Sequence, residues 1–171
     1  MLKRLMIVSI SLLMTPYVYA QSAKEYNKLG NAFYKQNNID DALLNYNKAI
    51  EINPEYTQAY NNRGIAYVAQ GDVERALVDF TKAIEIDPQN AEAYANRCHA
   101  YVEDNLPQAL VDCSKAIEIR ADYAKAYNIR AVIYYHLKEY DKAWADVRRA
   151  EELGAAVNLD FINELKELSS K

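Results

Sequence analysis

Apolar residues return along this chain in steps of three and four. They fall at Tyr26, Leu29 and Phe33, and then at Ala42, Leu43, Tyr46, Ala49 and Ile50. Each set marks one face of an α-helix. Between them, Gln36-Asn37-Asn38-Ile39-Asp40 is a polar turn with an N-cap candidate. Asn53-Pro54 ends the second helix, because a residue before proline avoids the helical region. The arrangement returns over residues 57–90, with Gln70-Gly71-Asp72 as the turn and Asp87-Pro88 as the stop. It returns over 91–123 with one residue missing at the turn, around Asp104-Asn105-Leu106-Pro107. Pro107 suits the first turn of a helix, where its missing N–H costs nothing. Residues 124–157 form a fourth unit. Over 158–169, Leu159, Phe161, Ile162, Leu165 and Leu168 alternate with Asp160, Glu164, Lys166 and Glu167. That pattern predicts one amphipathic helix without a partner, a terminal cap on a stack of hairpins.

The units share a register. Tyr26, Tyr60 and Tyr94 are 34 residues apart, and Tyr127 follows after 33. Ala42, Ala76, Ala109 and Ala143 repeat at the same intervals with the short step in the middle, as do Ala49, Ala83, Ala116 and Ala150. A period of this length indicates stacked supersecondary units rather than one globular core. Within a unit the residues read aromatic-x2-Leu/Arg-Gly-x2-aromatic, then Ala-x3-aromatic-x2-Ala, then Pro. The first unit supplies Tyr26, Leu29, Gly30, Phe33, Ala42, Tyr46, Ala49 and Pro54. The second supplies Tyr60, Arg63, Gly64, Tyr67, Ala76, Phe80, Ala83 and Pro88. The third has Cys98 for the glycine, Cys113 for the aromatic and Ala121 for the proline; the fourth has Ala131, Val147 and Ala155 there.

This pattern resembles the tetratricopeptide repeat over residues 23–157. The resemblance implies an all-α solenoid of four helix-turn-helix repeats (23–56, 57–90, 91–123 and 124–157) plus a capping helix over 158–169. It further implies a short right-handed superhelix that binds partners rather than catalysing reactions. The motif residues are packing residues: small Gly30, Gly64, Ala42 and Ala76 let paired helices approach, and the aromatics fill the gaps between them.

One feature varies between units in a correlated way. The position before the small residue and its counterpart on the second helix are Leu29 and Asn45 in the first unit. They become Arg63 with Asp79, Arg97 with Asp112, and Arg130 with Asp146. In an antiparallel pair these positions lie opposite, which predicts three ion pairs within repeats, against the alternative of three unrelated solvent charges. Lys48–Glu51, Lys82–Glu85 and Lys115–Glu118 also recur, but at i,i+3 spacing they read as a solvated face.

Composition narrows the setting. The length of 171 residues allows one domain, and 51% hydrophobic residues suffice for a continuous core. Met1–Arg4 is a short basic segment, Leu5–Met14 is apolar, Pro16 breaks the run, and Val18-Tyr19-Ala20 precedes Gln21. This is the form of a secretory signal peptide over 1–20, removed near Ala20 to leave a repeat domain over 21–171. The alternative is an uncleaved N-terminal anchor, although the run is short for a membrane span. Either way the repeats are expected outside the cytoplasm, in the periplasm of a bacterium or secreted. The formal charge of −4 becomes −6 once Lys3 and Arg4 are removed. Nucleic acid and anionic membrane surfaces are poor partners for such a chain. In an exported protein, two cysteines at facing positions of one hairpin can pair. Cys98 and Cys113 are therefore either a disulfide stapling the shortened repeat or two small buried thiols.

Candidate chemistry is sparse. There is no glycine-rich phosphate loop, no Cys-x-x-Cys pair and no serine elbow. No cofactor, metal or catalytic set is expected. His99 and His136 read as polar groups on the inner face, and Glu103 is the nearest acidic candidate for any metal or acid–base role. Trp144 is expected to pack against the cap. By repeat position, the resemblance places a peptide-binding groove on the first helices. Asn27, Asn31 and Tyr34 come from the first repeat, and Gln58, Asn61, Asn62, Ile65 and Val68 from the second. The third gives Glu92, Asn96, His99, Val102 and Glu103. The fourth gives Lys125, Asn128, Ile129, Val132, Tyr135 and His136. Asparagine amides can bond both C=O and N–H groups of an extended peptide. The family's clamp for a C-terminal carboxylate is not expected here: Asn31 and Asn62 match its asparagines, but Asn27, Glu92 and Asn96 stand where its cations would be. The resulting expectation is a non-catalytic adaptor for a protein or peptide partner. A structural subunit assembled through self-association or the outer face is the alternative, and oligomerisation is left open.

Overall fold

The computed structural model describes residues 16–169, with side chains from Ser22 onward. Its described elements are α1 (Pro16–Lys35), α2 (Ile39–Ile52), α3 (Thr57–Ala69), α4 (Val73–Ile86), α5 (Ala91–Tyr101), α6 (Leu106–Ile119), α7 (Ala124–His136), α8 (Tyr140–Glu152) and α9 (Leu159–Ser169). The architecture is the expected all-α solenoid of four helical hairpins and a cap. Most of the expected export segment lies outside the described residues. Its last part enters as the backbone of α1, which runs from Pro16 past Gln21.

The hairpins close by the same devices. Asn38, Asp72 and Asn105 cap α2, α4 and α6, each accepting from the backbone N–H three residues on. At the ends of α1, α3 and α7 the chain turns through a left-handed residue: Asn37 at φ 58°, Gly71 at φ 80° and Lys138 at φ 61°. The residue missing from the third repeat is this one. Helix α5 therefore stops at Tyr101, and Asn105 N–H bonds back to the Tyr101 carbonyl at 2.8 Å.

Each first helix packs on its own second helix, and each second helix on the first helix of the next repeat. The first helices α1, α3, α5 and α7 also touch in succession, whereas α2, α4, α6 and α8 stand apart. The first helices therefore line the inner, concave face and the second helices form the outer one. Ala42, Ala76, Ala109 and Ala143 are fully buried, as are Ala49, Ala83, Ala116 and Ala150. They set the close approach that the repeat requires.

The site facing each small residue is filled in four different ways. A Cβ at Gly30 would lie 2.5 Å from the Tyr46 ring, and one at Gly64 would lie 2.6 Å from the Phe80 ring. In the third repeat, Cys98 and Cys113 fill the same space with a disulfide, their Cα atoms 5.4 Å apart. In the fourth, Ala131 faces Val147, both fully buried. Where the first helix has glycine the second supplies an aromatic ring, and where it has alanine the second supplies the smaller valine.

Helix α9 closes the stack. Its Ile162 and Leu165 join Ala131, Ala143 and Val147 in one buried cluster, with Trp144 and Tyr135 packed on its edge. Trp144 also donates its indole N–H to Ser169 Oγ at 3.1 Å. The expectation that Trp144 packs against the cap holds.

Candidate binding groove

Three arginine clamps fix the walls of the groove. Arg63 grips Asp79 with two parallel bonds of 2.8 and 2.7 Å. Arg97 and Arg130 hold Asp112 and Asp146 in the same way. The three expected ion pairs are present, and they carry a third contact that the sequence reading missed. The remaining guanidinium nitrogen of each arginine reaches back to the preceding repeat: Arg63 to Asn47 at 2.6 Å, Arg97 to Thr81 at 3.1 Å and Arg130 to Ser114 at 3.3 Å. Each clamp thus joins three helices. Tyrosines flank the guanidiniums, with Tyr60 and Tyr67 beside Arg63 and Tyr127 and Tyr134 beside Arg130, at 5.5–5.9 Å. Burial pushes the Asp79 carboxyl above the ordinary carboxylate range, while Arg63 pulls the other way. For Arg63 itself burial opposes the charge, but the Asp79 bonds override it and its pKa is raised.

On the concave side an amide ladder crosses the repeats. Asn62 donates to Asn27 Oδ1 at 3.0 Å, Asn96 donates to Asn61 Oδ1 at 2.9 Å, and Lys125 donates to Asn96 Oδ1 at 2.7 Å. The next rung would join Ile129 to Ala95, and there both positions are apolar and buried. This corrects one expectation. Asn27, Asn61 and Asn96 are 7%, 3% and 5% exposed, so they stitch repeats together rather than present amides to a ligand. Asn62 is half-buried and belongs to the same ladder. Asn31 accepts from the Tyr46 hydroxyl at 2.8 Å. Two further groove candidates are also engaged inside the chain. Tyr34 packs on the cluster of Ala42, Tyr46 and Ala66. Tyr135 bonds Glu164 of the cap at 3.2 Å and meets Phe161 edge-on.

Seven of the other candidates converge. Val68, His99, Val102, Glu103, Asn128, Ile129 and Val132 line a cavity of about 470 Å³ across the second, third and fourth repeats, together with Val73, Ala100 and Asp104. Its walls are β-branched and apolar, and its rim carries His99, Asn128 and two carboxylates. Gln58 and His136 are exposed beyond it, and Ile65 is half-buried. His99 is held below the ordinary imidazole value of 6.5, chiefly by burial and then by the Lys125 charge, with Glu103 opposing. Burial lowers Lys125 as well, against the pull of Glu92. Among the described residues, no three His, Cys, Asp or Glu side chains gather where they could hold a metal ion. No helix among them is long and apolar enough to cross a membrane.

Two sequence profiles of one family match the chain, the TPR repeat over residues 30–71 and the tetratricopeptide repeat over 57–90. The hairpins, the period and these matches agree. The chain is a tetratricopeptide repeat protein. Solved TPR structures superpose on it closely. The first TPR of Spaghetti (RPAP3), bound to the HSP90 peptide SRMEEVD, is 25% identical with a TM-score of 0.67, covering 70% of this chain and 95% of that one. The Arabidopsis OM64 TPR domain is 26% identical with a TM-score of 0.66, covering 69% and 98%. TTC0263, a thermophilic TPR protein of Thermus thermophilus, shares the fold at 24% identity and a TM-score of 0.73, covering 86% and 81%. No curated protein matches the chain significantly. As a TPR protein, this chain falls in a family of protein–protein interaction modules.

Proposed function

We propose that this TPR protein is a non-catalytic adaptor that captures an extended segment of a partner protein in its concave groove. The observation that carries the reading is the apolar cavity across the second to fourth repeats. Val68, Val102, Ile129 and Val132 offer it a wall for one branched aliphatic side chain. The groove needs no ordering before it binds, because the arginine clamps and the amide ladder already hold its helices. A similar TPR structure with a bound peptide supports a peptide ligand in general. An acidic ligand of the SRMEEVD kind does not suit this groove, whose rim holds Glu103 and Asp104. A segment with an aliphatic anchor and a neighbouring lysine or arginine fits it better.

The setting we propose is the bacterial cell envelope, after removal of residues 1–20. The basic-apolar-small pattern of that segment supports export, and the Cys98–Cys113 disulfide suits an oxidising compartment.

The test is capture from envelope extract with the naturally processed protein, identified by mass spectrometry. The control carries Val68→Asp and Val132→Asp, which charge the cavity wall and leave clamps and ladder intact. Substituting Asn62 or Asn96 would damage the stack itself and report nothing about the groove. A partner bound by the native protein and lost by the control supports the adaptor. A partner kept by the control moves the activity to the outer face, the structural-subunit reading.

A further inference from the structure

The outer face carries a row of apolar side chains that the groove does not use. Leu44, Val78 and Val111 occupy the same register on α2, α4 and α6, and they are 50%, 68% and 60% exposed. Exposed Ala145 continues the row on α8. Single exposed aliphatics need no explanation, but a row repeated at the solenoid's own period makes a stripe.

The charges around the stripe have an order. One helical turn before each apolar residue stand Asp40, Glu74, Pro107 and Asp141. One turn after it stand Lys48, Lys82, Lys115 and Arg149. The outer surface therefore runs acidic, apolar and basic in parallel bands, the acidic one broken at Pro107, with Glu51, Glu85, Glu118 and Glu152 standing just past the cations. Within their own helices the cations have light engagements, and two also reach the neighbouring first helix: Lys48 lies over the Tyr26 ring and Arg149 bonds Tyr127. Lys82 meets Glu85 at 3.1 Å, Lys115 meets Glu118 at 2.7 Å and Arg149 meets Glu152 at 3.0 Å, all as exposed i,i+3 pairs. Such pairs exchange cheaply for another acid.

A surface banded in this way is complementary to itself. A two-fold axis lying in the contact plane and running along the stripe keeps each apolar residue on its own copy. It also reverses the helix direction, so the acidic band of each molecule meets the basic band of the other. An axis running along the helices instead would set acid on acid and base on base. We propose that a second copy of this chain docks on the outer face through this stripe, with second helices crossing antiparallel about a two-fold axis. Curvature limits a contact between two convex faces to the middle repeats. Val78 and Val111 therefore form its centre, and Glu74 of each copy pairs with Lys82 of the other. A patch this narrow falls short of a standard interface, so the dimer is weak and reversible. It leaves both grooves open, and it does not depend on what the groove binds.

The test is sedimentation equilibrium of the naturally processed protein over a concentration series at low and high salt. The proposal expects reversible dimers that weaken with salt. Glu74→Lys alone and Lys82→Glu alone should each weaken association at least tenfold, since each sets like charges opposite one another. An equimolar mixture of the two variants should recover it, because the mixed dimer pairs every charge, and the Glu74→Lys/Lys82→Glu double variant should also dimerise. Circular dichroism confirms that each variant folds. A protein that stays monomeric throughout, single variants that dimerise like the native chain, or a mixture that shows no recovery would overturn the proposal.

Discussion

Replacing the second repeat's contact pair with that of the fourth is the sharpest test of how these hairpins hold together. Gly64→Ala places a Cβ 2.6 Å from Phe80 Cε1 and 2.9 Å from Cδ1, against a ring that is 1% exposed and has no room to retreat. Overpacking of this kind costs about 1–3 kcal/mol. Losing a helix-interior glycine returns about 1 kcal/mol of propensity. The single variant should therefore be up to about 2 kcal/mol less stable. Phe80→Val removes the clash partner but leaves a void, and should lose about 2–4 kcal/mol by comparison with larger truncations of buried aromatics. The double variant rebuilds the Ala131–Val147 pair, both fully buried, with which the fourth repeat fills this site. It should be more stable than the sum of the two single losses by about 1–2 kcal/mol, within the range seen for residues in contact. Urea unfolding followed by far-UV circular dichroism measures all three, and an unchanged slope confirms that the transition stays comparable. If the two losses simply add within about 0.5 kcal/mol, volume matching between these positions is not what holds the repeat.

Further expectations follow from the polar contacts. Arg63→Leu alone strands the buried Asp79 carboxylate and should cost about 3–5 kcal/mol; Arg63→Leu with Asp79→Asn, the pair used by the first repeat, should recover most of that in the same unfolding assay. Reducing the Cys98–Cys113 bond, which closes a loop with a sequence separation of 15, should lower stability by about 3 kcal/mol, read as a downward shift in Tm with and without reductant. His99, followed by NMR, should titrate below 6.5, and Lys125→Met should raise its pKa by removing a like charge. Since the folded value is the lower one, the unfolded chain binds more protons in between. Stability should then rise with pH from the folded value up to 6.5.

The sequence made the fold and its clamps legible because both lie in register. Tyr26, Tyr60 and Tyr94 align at equal intervals, and Arg63, Arg97 and Arg130 gain their aspartates together. The amide ladder escaped that comparison because it is one residue out of register: Asn62 bonds Asn27 and Asn96 bonds Asn61, each 35 residues apart. Aligning like positions hides a bond between unlike ones. A usable signal exists, since where Ile129 replaces the donor, Ala95 replaces the acceptor. The arginines' third contacts, to Asn47, Thr81 and Ser114, were hidden by chemistry instead, because three different side chains supply the same acceptor oxygen. Tyr135 sits at an inner-face position like Val68 and Val102, but the cap contributes Glu164 and Phe161 as neighbours that no earlier repeat has. Periodicity cannot foresee what the last unit meets.

The central claim is that partners enter the concave cavity, and site-directed photocrosslinking tests it most directly. A benzoylphenylalanine in place of exposed Gln58 or His136, at the groove's edge, should crosslink a partner in cells through a segment containing an aliphatic residue beside a lysine or arginine. The same probe at Glu85 on the outer face should not capture that segment. Crosslinking of the same segment from Glu85 and not from the groove edge would contradict the account.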